Sequence, residues 1–140
     1  MPFKYLPDVA LADVAFEAES PTVDGLFEEC ARAMTDIMVD PKSLGATTER
    51  KFALESEDLD RLLYDFMTEL IVVKDVDSLL FGEFEVSVSP GGKSLNAVAR
   101  GEAIDRGRHR LRNDVKAVTM HLFGIKPADG GWKTTVVLDI

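Results

Sequence analysis

The chain has 140 residues, of which 46% are hydrophobic and 29% are charged, which is typical of a folded domain and not of a disordered chain. It has no apolar run close to the roughly 20 residues that span a bilayer, and acidic residues interrupt the N-terminal stretch where a secretory signal would need an apolar block. We therefore expect a cytoplasmic protein that does not enter a membrane. The single cysteine, Cys30, excludes an internal disulfide and a multi-cysteine metal cage. A formal net charge of −9 argues against broad binding to a phosphate backbone.

The N-terminal part of the chain predicts a strand followed by a helix. Apolar and polar residues alternate over residues 11–19, the period of a half-buried strand. Apolar residues then recur at helical spacing from Val23 to Met38. The helix must stop near Asp40, because Pro41 disfavours helical geometry in the residue before it.

A second strand and a second helix follow. Residues 48–55 alternate again, and Ser56 is a plausible helix cap, with acidic residues just after it. An apolar stripe from Leu59 to Ile71 then predicts a helix that packs on the same core.

The second half of the chain reads mainly as antiparallel sheet. Turn signals at residues 90–92 and 127–131 separate four apolar stretches, at residues 84–88, 95–103, 115–125 and 132–140. Two hairpins that follow two helices favour an α+β fold, with a mainly antiparallel sheet packed against two principal amphipathic helices. We expect a single domain over residues 1–140, with room for a small inserted subdomain.

The usual catalytic signatures are missing from the sequence. Residues 90–94 (PGGKS) resemble a fragment of a phosphate-binding loop, but no helix pattern follows them, so we interpret them as a hairpin turn. Cys30 lies on the apolar stripe of the first helix, where a small buried residue is expected.

Two carboxylates are the best candidates for a binding site. Asp13 lies on the polar side of the first strand, and Asp139 lies near the end of the last one. If these strands are neighbours, both side chains can share one surface, and the terminal carboxylate of Ile140 lies within one residue. Converging carboxylates suit a hard cation such as calcium or magnesium. The alternative is that both aspartates are solvated or form ordinary ion pairs.

A basic stretch stands out against the acidic chain. Residues 106–116 hold five of the 16 basic residues and one acid, Asp114. If this stretch is extended, its four arginines align on one face, which suits carboxylate or phosphate oxygens. The alternative is that they pair with the protein's own acids. Lys116 follows among apolar neighbours, whereas His121 alone does not make a site.

Taken together, these residues resemble the archease family over essentially the whole chain. The segments that carry the resemblance are residues 12–18 (ADVAFEA), 26–29 (LFEE), 60–66 (DRLLYDF), 105–111 (DRGRHRL), 115–119 (VKAVT), 121, 131–132 (GW) and 136–140 (VVLDI). The resemblance implies an α+β protein with a calcium site at Asp13, Asp139 and a backbone or terminal oxygen of Ile140, magnesium or manganese being the alternative ions. It also implies a functional role for Lys116. Many members carry His-Thr where this chain has Ala10 and Leu11, so this chain lacks that histidine.

The resemblance also implies a function. Archeases are protein cofactors, not enzymes, that help an RtcB-type tRNA-splicing ligase to become guanylylated and to turn over repeatedly, so tRNA is met only through the ligase. Two other classes remain open. One is a metal-dependent hydrolase of phosphate esters that uses the same carboxylates. The other is a chaperone-like or RNA-binding module that uses the arginines.

Overall fold

The structure, a computed structural model, describes residues 3–6, 13–121 and 123–140. Within these ranges the elements are, in chain order, β1 (Phe3–Tyr5), β2 (Asp13–Ser20), α1 (Val23–Met38), β3 (Thr48–Glu55), α2 (Leu59–Asp77), β4 (Leu79–Val88), β5 (Ser94–Ala103), β6 (Ala117–Val118), β7 (Gly124–Ala128) and β8 (Gly131–Asp139). A short 3₁₀ turn, Pro41–Ser43, lies between α1 and β3. Two helices and mostly antiparallel strands confirm the predicted α+β class.

The larger sheet joins the two ends of the chain. Its strands run in the order β1-β2-β8-β6, and β7 also pairs with β8. β2 and β8 are antiparallel neighbours from Asp13 opposite Asp139 to Ser20 opposite Trp132. The first predicted strand and the last one therefore lie side by side. The start of the first predicted strand, residues 11 and 12, lies outside the described residues.

The smaller sheet has the order β3-β5-β4, and its β4–β5 hairpin turns where residues 90–92 predict it. The turn is closed by a hydrogen bond of 2.9 Å from the Gly92 N–H to the Ser89 carbonyl. The smaller sheet is inserted in sequence between strands of the larger one. Both sheets nevertheless contribute buried residues to one hydrophobic core.

The two helices form where their apolar spacing predicts them, but the second one is capped differently. Asp58, not Ser56, is its N-cap, and its carboxylate accepts a hydrogen bond from the Arg61 N–H. The Ser56 hydroxyl instead donates to Asp65. The helix also continues past the predicted stripe to Asp77, because its last turn is held by buried apolar and lysine side chains.

The core lies between the helices and the sheets. Both helices contact strands of both sheets, and Phe16, Phe27 and Phe66 are fully buried where they meet. Burying one such side chain is worth about 1.5–3 kcal/mol. Cys30 is buried in this core, as predicted, and burial raises the pKa of its thiol, which stays protonated.

The predicted strand over residues 115–125 is wrong for most of its length: of the residues described in this range, only Ala117–Val118 and the start of β7 are strand. The Lys74 amine on α2 is a physical reason, since it donates to the Val115 carbonyl and to the Asp114 carboxylate and draws this segment to the helix. Burial alone would lower the pKa of Lys74, but the hydrogen bonds to Asp114 and Asp75 outweigh it and raise the pKa. Lys74 is therefore a charged anchor between α2 and this segment.

The last hairpin turns later than the sequence suggests. Pro127 belongs to β7, opposite Trp132, and the turn itself is made by Asp129 and Gly130. Both turn residues have positive φ, which is the geometry of a two-residue hairpin turn. Neither helix in the described ranges is long and apolar enough to cross a membrane.

Candidate functional site

The β2–β8 pair brings two predicted site residues together. Asp13 and Asp139 are directly opposite each other in the register, and both are partly exposed. Residues opposite each other in an antiparallel pair have Cβ atoms about 5 Å apart on the same face of the sheet. The two carboxylates thus share one surface, at the point where the larger sheet ends. Ile140, also partly exposed, follows directly along the chain.

Lys116 reaches the same point from the other side of β8. Ala117 of β6 is paired with Asp139, and the Lys116 N–H also donates to the Asp139 carbonyl oxygen at 2.8 Å. The backbone of Lys116 is therefore fixed at the residue that carries one of the two carboxylates. The Lys116 side chain is exposed, so its ammonium is free to meet another molecule.

The donors at this end of the sheet fit a hard divalent cation. Two carboxylates and a main-chain or terminal oxygen of Ile140 are the kind of oxygen ligands that calcium and magnesium prefer. Like charges directly opposite each other are unfavourable in a sheet, and a cation between them would offset the repulsion. In the described part of the chain, no three His, Cys, Asp or Glu side chains form a ligand set, so the side chains contribute a pair of carboxylates only. Ala10 and Leu11, where the family pattern has His-Thr, lie outside the described residues.

The sequence gives no reason to assign His121 to a site. The structure places it in a turn after β6. It is exposed, and its backbone N–H lies 3.3 Å from the Thr119 hydroxyl. The position gives no reason to assign it a joint role with Lys116.

The basic stretch is folded, not extended. Backbone N–H groups of Arg108 and His109 both donate to the Asp105 carbonyl, so the chain turns here and the four arginines do not align on one face. Three of the four pair with the protein's own acids, as the alternative interpretation predicts. Arg108 binds Glu102, Arg110 lies near Asp40, and Arg112 binds Asp36.

Sequence reasoning missed the buried network around Glu102 on β5. Two hydrogen bonds of 2.9 Å from Arg108, one of 2.7 Å from the Gly45 N–H and one of 2.6 Å from His109 converge on its carboxylate. The His109 Nδ1 accepts from the Asp105 N–H, so in the neutral ring Nε2 carries the proton and donates to Glu102. The bonds from Arg108, His109 and Gly45 lower the pKa of Glu102 to about 2. The signal in the sequence was a histidine inside an arginine run: if its ring is buried, both ring nitrogens need hydrogen-bond partners.

This network is structural. The His109 side chain is fully buried and Glu102 nearly so, and the network ties the loop before β3 to the segment after β5. The candidate site residues that solvent can reach are instead Asp13, Asp139 and Lys116. Fold and site together define a small α+β protein of two antiparallel sheets that carries an acidic pair where its first and last long strands meet.

Comparison with known proteins gives the family. The model of the Archease protein family (MTH1598/TM1083) matches residues 3–140. Protein archease of Methanosarcina mazei is 36% identical over 141 residues, covering 99% of this chain and 95% of that protein. Protein archease of Methanothermobacter thermautotrophicus is 38% identical over 92% of this chain and 93% of that protein. The chain belongs to the archease family.

Two solved structures share the fold. The solution structure of Methanobacterium thermoautotrophicum protein 1598 matches with a TM-score of 0.86 at 36% identity, over 99% of both chains. The crystal structure of an archease from Thermotoga maritima, described as a possible chaperone, matches with a TM-score of 0.66 at 18% identity, over 94% of this chain and 93% of that one. The second likeness supports the fold alone.

Proposed function

We propose that this protein is a cytosolic accessory activator of an RtcB-type tRNA-splicing ligase, which promotes guanylylation of the ligase and its multiple turnover in RNA joining. The observation that carries the proposal is the direct pairing of Asp13 with Asp139, with the backbone of Lys116 bound to the same residue. These are the residues to which the family resemblance assigns a metal and a functional lysine. The protein itself joins no RNA in this proposal, and it meets tRNA through the ligase.

In this proposal Asp13, Asp139 and a main-chain oxygen of Ile140 hold a divalent cation, calcium first and magnesium or manganese as alternatives. The bound cation would supply positive charge and open coordination positions for phosphate or carboxylate oxygens of the partner. The protein's own part is to hold the two carboxylates at a fixed spacing. β2 and β8 are well suited to this, because eight consecutive residue pairs fix their register.

Lys116 has a separate part in the proposal. Its backbone is held by Asp139 and its side chain is exposed, so the ammonium can contact a phosphate or an acidic residue of the ligase next to the carboxylates. A cationic group beside an acidic pair gives the surface two signs of charge over a short distance. Such a surface favours one docking orientation over others.

The test is multiple-turnover RNA ligation by the cognate ligase. We expect wild-type protein to raise the number of joined RNAs per ligase, and Asp13→Asn and Asp139→Asn to lose most of this stimulation. Glu19→Gln is the matched control, because it removes an exposed carboxylate from the far end of the same strand. Full stimulation by a folded Asp13→Asn protein would reject the role of the acidic pair. No stimulation by the wild-type protein would reject the ligase as partner.

A chaperone-like role is the second candidate, because a member of the same family, the Thermotoga maritima archease, is described as a possible chaperone. If this is the function, the protein should suppress aggregation of unrelated unfolded chains at stoichiometric amounts. That activity should survive Asp13→Asn, since it needs apolar surface and not a carboxylate pair.

A further inference from the structure

A cleft at the C-terminal end of α2 is separate from the acidic pair. It has a volume of about 380 Å³, within the range of small-molecule sites, and lies between α2 and the basic stretch after β5. A second hollow, of about 780 Å³, adjoins it, and Ser78, Ile104 and Arg106 line both. Arg106 therefore stands where the two hollows meet.

The lining of the cleft is amphipathic. Met38, Leu80, Ile104 and Leu111 contribute apolar surface, and the first two belong to the hydrophobic core. Sites for small organic ligands combine such a surface with a few polar groups that fix orientation. An apolar ring of a ligand can cover this surface.

Arg106 supplies a positive charge to the cleft that a ligand can use. Of the four arginines in the basic stretch, it is the one that forms no ion pair with the residues that the structure describes, since the other three bind Glu102, Asp40 and Asp36. A guanidinium presents five N–H donors in a planar fork that matches phosphate and carboxylate oxygens. Its charge is available to a ligand without breaking any bond described within the protein.

Two further polar side chains in the cleft have unused hydrogen-bonding capacity. The Ser78 hydroxyl and the Asn113 amide line it, and within the described ranges these residues bond through their backbone groups only. Ser78 is also held in the left-handed region, at φ 55°, where it caps α2. Its position is therefore fixed by the helix end and by the hydrogen bond that its carbonyl accepts from Ile104.

Acidic groups on the rim limit the charge of the ligand. Asp75 and Asp114 line the cleft, and the Lys74 amine that binds both is already neutralised by them. Arg112 also lines the cleft but already binds Asp36. One guanidinium without an ion pair among the described residues, beside two carboxylates, favours a ligand with one anionic group over a polyphosphate. The carboxylates can accept hydrogen bonds from hydroxyl or amino groups of the same ligand.

We propose that this cleft binds a nucleoside monophosphate, with the phosphate on Arg106, the base against the apolar surface, and the ribose or base donors toward the acidic rim. The ligand satisfies all three features at once: one anionic group, a flat apolar body and outward hydrogen-bond donors. The site does not depend on the proposed ligase activity, and its occupancy can be measured on the protein alone.

The test is calorimetric titration of the protein with adenosine and guanosine monophosphates, the two nucleosides and inorganic phosphate. We expect saturable binding of a monophosphate, and binding at least about tenfold weaker for Arg106→Gln, because a charge-assisted hydrogen bond to phosphate is lost. Arg110→Gln is the matched control, since this exposed arginine of the same stretch does not line the cleft. It should bind the nucleotide as the wild type does.

Three results would overturn the proposal. The first is no saturable binding of any monophosphate at millimolar concentration. The second is an equal loss in Arg106→Gln and Arg110→Gln, which would show general electrostatic attraction. The third is inorganic phosphate binding as tightly as the nucleotides, which would show that the apolar surface is not used. The thermal midpoints of both variants and the wild type are measured as well. If they are equal, weaker binding by a variant does not come from unfolding.

Discussion

Two like charges lie directly opposite each other where β2 begins and β8 ends. Without a counter-ion, the Asp13–Asp139 pair should cost stability, by up to roughly 1 kcal/mol for opposed residues in a sheet. We therefore predict that Asp13→Asn unfolds at a slightly higher temperature than the wild type in a chelator. With calcium the order should reverse, because a cation at 100 times its dissociation constant stabilises the wild type by about 2.7 kcal/mol. Thermal unfolding of both proteins with chelator and with calcium measures this.

The matched control for that comparison is Glu19→Gln, which should follow the wild type under both conditions. An equal gain in thermal midpoint for wild type and Asp13→Asn on adding calcium would contradict a cation held by this pair. A midpoint unchanged by calcium, magnesium and manganese in the wild type would contradict any divalent site there.

The low pKa of Glu102 predicts how the stability of the protein changes at acidic pH. Its pKa, about 2 in the fold, lies below the ordinary value near 4.3, so the ionised carboxylate stabilises the protein above about pH 4. That stabilisation should be lost as the pH falls from about 4 through 2. Glu102→Gln should therefore unfold at a lower temperature than the wild type at pH 7, and the difference should shrink over this acid range. Thermal unfolding against pH measures it.

The control for the acid prediction is Glu83→Gln on β4, an exposed carboxylate, which should differ little from the wild type at any pH. If the unfolding temperature of Glu102→Gln stays below that of the wild type by the same amount down to pH 2, the network stabilises the protein through packing and not through charge.

At the scale of elements, α1 closes the outer edge of the smaller sheet with its side chains. Carboxylates of Glu28 and Asp24 accept hydrogen bonds of 2.9 and 2.8 Å from the N–H groups of Val86 and Val88 on β4. An edge strand satisfied in this way is closed to pairing with another chain. We predict that Glu28→Ala lowers the free energy of unfolding by about 1–3 kcal/mol, because it leaves the Val86 N–H without a hydrogen-bond acceptor. Denaturant unfolding measures the loss.

Glu29→Ala is the neighbouring control, since Glu29 pairs with the Arg32 side chain on the same helix and its removal leaves no backbone N–H of the sheet edge unsatisfied, so its loss should be smaller. Equal losses in the two variants would mean that the helix itself, and not the sheet edge, depends on its acids.

The helices and long strands could be predicted because their own residues carry the signal. The apolar stripes of α1 and α2 and the alternation in β3 place these elements within a few residues. The segment between β5 and β7 could not be predicted, because its course depends on distant partners. Lys74 and Asp60 on α2 bind Val115 and Ile125, and no local pattern reports bonds across more than 40 residues.

For the molecule as a whole, candidate site residues were easier to name from the sequence than the topology that brings them together. Asp13 and Asp139 could be named from the sequence, but their meeting depended on β2 and β8 being neighbours, which local pattern does not decide. The basic stretch shows the reverse case. Its composition suggested one surface of four arginines, whereas the −9 net charge supplies enough acids to pair most of them internally.

The measurement that tests the proposed function most directly is guanylylation of the cognate RtcB-type ligase, followed as labelled nucleotide bound per ligase molecule. Wild-type protein and Glu19→Gln should raise the extent of labelling, and folded Asp13→Asn and Asp139→Asn should leave it near the level of the ligase alone. Equal labelling with wild type and with both aspartate variants would contradict the central claim that the acidic pair between β2 and β8 activates the ligase.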